Sequence, residues 1–128
     1  MKKFIVIAFM LLGFVSNVSA GTAPAAWLWE VEYVISDQFP EYEDVYGSQT
    51  VTDENHGGNI NIIVLVVGYS STMVTTFNGS SLSPYHVQGL DPDGDGTIDA
   101  WRYYYFANAQ SGAVQVNDFG VKDSLYIK

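Results

Sequence analysis

Residues 91 to 99 read Asp-Pro-Asp-Gly-Asp-Gly-Thr-Ile-Asp, which sets aspartates at 91, 93, 95 and 99. Binding a divalent cation is the chemistry such a run can do. Calcium takes about six to eight hard oxygen ligands, and carboxylates at alternate positions, followed by a glycine, let a short loop wrap around one ion. The expected ligands are the side chains of Asp91, Asp93 and Asp95, the carbonyl of Thr97, and the carboxylate of Asp99, directly or through water. Gly94 and Gly96 free the backbone where it must bend. Asp and Gly also form ordinary solvated turns, but such a turn has no need of four charges that repel one another without a cation. The expected cofactor is Ca2+.

The spacing resembles the D-x-D-x-D-G loops of EF-hands, thrombospondin type-3 repeats and integrin-like FG-GAP blades. An EF-hand carries a bidentate Glu at its twelfth position, where this chain has Arg102. The integrin-like form D-x-D-x-D-G-x-x-D, carried between two strands, fits each position from Asp91 to Asp99. The loop occurs once, and a propeller of such blades would need several copies. The resemblance therefore implies a shared loop rather than a shared fold.

A second group with chemical potential is aromatic. Trp101, Tyr103 and Tyr105 alternate after the acidic loop, and Trp27 and Trp29 alternate near the start of the mature chain. Exposed, such a row would stack sugar rings; buried, it is core, the usual fate of large rings. The opposite face of the same stretch, with Ile98, Ala100, Arg102, Tyr104 and Phe106, is also largely apolar, so the sequence leaves the buried side open. His56 sits in a Gly-rich polar turn and His86 in a strand, and both read as surface residues. No G-x-S-x-G elbow, zinc-ligand pair or phosphate loop occurs. No enzymatic activity is expected.

The compartment follows from the first twenty residues. Lys2 and Lys3 precede an apolar run from Phe4 to Val15, and Val18-Ser19-Ala20 ends it with small residues, the pattern of a cleaved secretory signal. The run is shorter than the ~20 residues a membrane span requires, so no span is expected once the signal is removed. The chain is expected to be secreted or periplasmic. Of its five basic residues, Lys2 and Lys3 leave with the signal; three then face fourteen acidic groups, a net charge of −11. That charge disfavours nucleic acid and anionic membranes as partners. Cysteine is absent, so burial, aided by a bound metal, must hold the domain without disulfides.

The elements that would position these residues are strands. Period-two alternation dominates from Trp27 to Ile35, with Trp27, Trp29, Val31, Tyr33 and Ile35 on one face. Ile60 to Tyr69 is the most apolar, β-branched stretch and reads as a central strand covered on both sides. Further strands are expected at 72–77, 85–90, 98–106, 113–119 and 121–127, with a short one near 49–52. Asn78-Gly79 suits a tight hairpin. The expectation is an all-β, single antiparallel β-sandwich, Ig-like or similar, of about seven or eight short strands, with residues 21–128 as one domain. An eight-stranded outer-membrane barrel is the rival, but 36–59 and 107–124 are polar for lipid-facing staves.

Across the whole chain the layout is similar to the YolA-like group of small secreted bacterial proteins with no assigned function. The signal peptide, Gly57-Gly58, the apolar strand ending in Gly68-Tyr69, and Phe77-Asn78-Gly79 carry that resemblance. It implies a small, secreted, all-β protein and adds no mechanism. The function expected is a secreted calcium-binding module for an extracellular glycan or protein. The alternative is a structural or assembly protein whose association depends on calcium.

Overall fold

A computed structural model describes residues 25–128. The expected signal peptide, residues 1–20, lies outside the described residues. Nine strands succeed one another: β1 (Leu28–Ser36), β2 (Glu43–Asp44), β3 (Gly58–Val67), β4 (Val74–Phe77), β5 (Ser80–Leu82), β6 (His86–Leu90), β7 (Ala100–Ala109), β8 (Gly112–Asn117) and β9 (Val121–Ile127). They form two antiparallel sheets, ordered β2-β1-β3-β7-β6 and β5-β4-β8-β9. The fold is all-β, with no helix among the described residues.

One apolar core joins the two sheets. Ile60, Ile62, Val64 and Val66 of β3 share it with Val31, Val34 and Tyr105, and the second sheet contributes Phe77, Val114, Val116, Leu125 and Ile127. Alternation explains these sets, because residues two apart in a strand face the same side. The central position of β3 also reflects its composition. Ile62 to Val67 are all buried, since β1 and β7 flank this strand and its outward residues are covered as well.

The boundaries differ from the sequence reading in instructive ways. The stretch near 49–52 forms no strand; Val51 makes a single bridge to Tyr126. Two short strands that composition hides, β2 and β5, raise the count to nine. β5 is the return arm of the Asn78-Gly79 hairpin, where φ is 51° and 84°, the two positive angles that a tight turn of this type needs.

The expected single face of residues 27–35 is broken by a register shift between Val31 and Tyr33. Trp29 and Val31 face the core, while Tyr33 and Ile35 come out on the other side. A β-bulge places one extra residue in a strand and re-aims the side chains beyond it. Here it leaves Glu32, which is 1% exposed, gripping Arg102. Arg102 Nε and Nη2 donate to the two Glu32 carboxylate oxygens at 2.8 and 3.1 Å.

Candidate metal centre

The acidic loop joins β6 to β7, adjacent antiparallel strands whose last pair is Leu90 with Ala100. Its far end is clamped by backbone bonds on both sides: Asp99 N–H donates to Leu90 O at 3.1 Å, and Gly68 N–H donates to Asp99 O at 2.8 Å. Ala100, Leu65 and Val67 form a small apolar cluster beside this end, with Trp27, Leu28 and Leu90 packed against it. That cluster excludes water from Asp99, which is only 2% exposed.

Within the loop the carboxylates fold the backbone around themselves. Asp91 Oδ1 accepts from the amides of Gly94 and Asp95 at 3.1 and 3.2 Å, and its Oδ2 accepts from Gly96 at 2.8 Å. Asp93 Oδ1 accepts from Asp95 N–H at 3.2 Å, and Asp95 Oδ1 from Thr97 N–H at 2.9 Å. Gly94 and Gly96 hold φ at 72° and 89°, angles that a side chain would strain. The structure thereby brings together four of the five residues expected as ligands. One oxygen from each of Asp91, Asp93, Asp95 and Asp99 lies within 4.8 Å of the others, enough to hold a metal ion. Thr97 is buried at the end of the same loop.

The electrostatics divide the four carboxylates. The Gly96 amide, first among several hydrogen bonds, holds Asp91 below the ordinary carboxylate range. Burial pushes Asp93 up to about 6, and the neighbouring Asp91 and Asp95 carboxyls add to the rise. Burial also raises Asp99, with the charges of Asp95 and Asp91 adding to it. Two oxygens, Asp93 Oδ2 and Asp99 Oδ1, are shut off from solvent without a hydrogen-bond partner. An unpaired buried carboxylate oxygen is costly, and a cation among the four would compensate it.

A pH dependence arises from Asp93. Without metal, the folded loop holds a proton on Asp93 below about pH 6, whereas the unfolded chain holds it only below the ordinary value of 3.8. Acidification through that window therefore favours the metal-free fold at this residue, the reverse of the usual carboxylate effect. Metal needs the ionised form, so its binding should weaken about tenfold per pH unit below 6. Titration calorimetry in two buffers of different ionisation enthalpy should show proton release at pH 6 and little at pH 8. Equal release at both would rule out this assignment.

The aromatic residues fall on two faces. Tyr105 is buried in the core, with Tyr103 partly buried against it. Trp101 is half-buried and meets Tyr69 edge-on at 5.9 Å. The outward row of the same strand is the alternate one, with Phe106 52% exposed.

His86 is exposed, as expected, but His56 is not. It is 2% exposed, with Nδ1 2.8 Å from Ser36 Oγ and Nε2 2.9 Å from Glu43 Oε1. These are the residue types of a nucleophile, base and acid. The Ser36 oxygen, however, already accepts from the amides of Phe39 and Gly57 at 3.1 and 3.4 Å, and Ser36 is 5% exposed. The three form a latch between β1, β2 and the turn before β3. No local pattern announces it, because its members lie 7 and 13 positions apart and its turn is polar in composition.

Fold and site together define a small all-β protein of two antiparallel sheets with an acidic, metal-competent loop between adjacent strands. The chain belongs to the family described as domain of unknown function (DUF4879), whose model matches residues 21–125. No curated protein matches the chain in sequence.

Proposed function

We propose that this protein is an exported calcium-binding module whose ion rigidifies the β6–β7 connection next to a ligand-binding surface. The observation that carries the reading is the Asp99 carboxylate, buried on a rigid strand start with one oxygen unpaired and gathered with three other aspartates. Calcium suits the set better than magnesium, since magnesium demands a tight octahedron and keeps its waters, while several aspartates on a flexible loop suit a larger shell. Export is supported by the basic, apolar and small-residue series of residues 1–20.

The test is a melting curve in calcium, in magnesium and in chelator. Calcium at a hundred times its dissociation constant should add ~2.7 kcal/mol by mass action, with magnesium adding much less. Asp99→Asn should remove that gain and leave the metal-free protein at least as stable as the wild type, since the lost charge is a buried, unpaired one. Asp91→Ala should instead weaken the metal-free protein, because the Gly96 amide loses its acceptor and the amides of Gly94 and Asp95 each lose one of two. Identical curves in calcium and chelator would sink the proposal.

A calcium-dependent assembly role is favoured by one feature. β6 is an edge strand that is exposed from His86 to Gly89, with no Lys or Pro within it to block pairing. A rise in mass with calcium and concentration would select that role.

A further inference from the structure

We propose that the outward face of the five-stranded sheet binds a neutral oligosaccharide laid along β7, over Tyr104 and Phe106. This rests on the reading of the protein as an exported binding module but not on its metal. The bulge at Val31/Tyr33 turns Tyr33 to this side, where it meets Tyr42 edge-on at 5.7 Å. Across the sheet, Tyr85 stacks on Phe106 at 4.5 Å and leans on Tyr104 at 6.1 Å. Tyr42, Tyr85 and Phe106 are 64%, 53% and 52% exposed. What sets these rings apart is that they gather on one side of the sheet, and contiguous exposed apolar surface marks interaction sites.

Two open hollows lie along this face. One, of about 280 Å³, is lined by Tyr33, Tyr42, Ile63, Arg102 and Tyr104. Another, of about 420 Å³, is lined by Ile35, Pro40, Asn59, Asn61 and Phe106 among others. Their floor and wall residues are related by steps of two along β1, β3 and β7, so the hollows succeed each other at about 7 Å along the strands. Side-chain amides stand beside the aromatic rings. Tyr85 Oη donates to Asn61 Oδ1 at 2.6 Å and Tyr104 Oη to Gln88 Oε1 at 3.0 Å. Ring faces for the C–H side of a pyranose, with amides for its hydroxyls, are the chemistry that sugars need.

Charge selects the class of sugar. Arg102 lies on this face, and Glu32 neutralises it through a two-pronged pair. Lys122 belongs to the other sheet, over Trp29 at 5.3 Å. Asp37 lines the larger hollow, and the charge of Asp44 is felt at Tyr33. Beyond the Arg102–Glu32 pair these carboxylates repel a polyanion, whereas a neutral chain meets no such barrier.

The test is retention of the purified protein on cellulose, mannan, starch and chitin, with polygalacturonate as the anionic control. Retention by at least one neutral polymer and not by polygalacturonate is expected. Tyr104→Ala and Phe106→Ala should each weaken it about tenfold. If Tyr104→Ala also lowers the melting temperature, Phe106→Ala and Tyr104→Phe decide, the latter keeping the ring. No retention on any neutral polymer overturns the proposal, as does retention that survives Phe106→Ala together with Tyr104→Ala. Self-association abolished by those substitutions would make the face a contact between two copies and overturn it equally. Repeating the assay with chelator and with Asp95→Ala separates the two readings: sugar retention without calcium binding overturns the metal alone, and calcium binding without sugar retention overturns this surface alone.

Discussion

Tyr105→Ala should cost about 3–5 kcal/mol of stability, while Phe106→Ala, one residue on, should cost about 1 kcal/mol or less. The two residues differ in direction more than in size. Tyr105 pairs with Ile62 in register and points into the core shared with Val114, Val116 and Leu125, so its removal leaves a cavity between the sheets. Phe106 points to solvent against Tyr85, and its truncation loses little more than one stacking contact. Urea unfolding in chelator isolates the effect from metal, and an unchanged slope for both variants would show that only stability had moved. A small loss for Tyr105→Ala would place that ring outside the core. The same contrast bears on ligand binding, since a core ring cannot serve as a platform while its neighbour can.

Which of these two faces is buried was not legible in the sequence, because β7 is apolar on both. Ile63, Leu65 and Val67 show the reason: they lie on the outward face of β3, yet each is at most 2% exposed. Arg102, Tyr104 and the Trp27–Leu28 segment cover that side, and alternation loses its meaning when both sides are covered. The bulge had the same effect in β1, since a one-residue shift swaps faces and leaves no mark in composition. The acidic loop was legible because its members are local. Ligands at alternate positions of one turn converge whatever the surrounding sheets do, and the chain holds both ends through the neighbouring β6–β7 pair. Legibility tracked sequence distance: nine consecutive residues could be read as a site, and three residues spread from Ser36 to His56 could not.

That scattered latch carries the other large effect. Glu43→Ala should destabilise the protein by roughly 3–5 kcal/mol, since three donors lose one shared acceptor and each such loss costs about 1–3 kcal/mol. Glu43 is 7% exposed and its two oxygens serve three donors: the amide of Asp53 at 2.6 Å, the amide of Glu54 at 3.2 Å and His56 Nε2 at 2.9 Å. Truncation leaves these donors without their acceptor, and at His56, the buried one of the three, a donor left unmade costs more than a made bond returns. With Nε2–H committed to Glu43, Nδ1 is the acceptor for the Ser36 hydroxyl, whose oxygen then takes the Phe39 and Gly57 amides. One imidazole thus ties the end of β1 to β2 and to the entry of β3. Ser36→Ala should cost less, about 1–3 kcal/mol, because Glu43 and His56 keep each other. The double variant should fall short of the sum of the two, since both act through His56. Amide exchange at Asp53, Glu54 and Gly57 should quicken in Glu43→Ala, while Asp99 and Ala100, clamped at the other loop, keep their protection. Strict additivity of Ser36→Ala and Glu43→Ala would mean that no signal passes through the ring, and the latch would reduce to two unrelated hydrogen bonds.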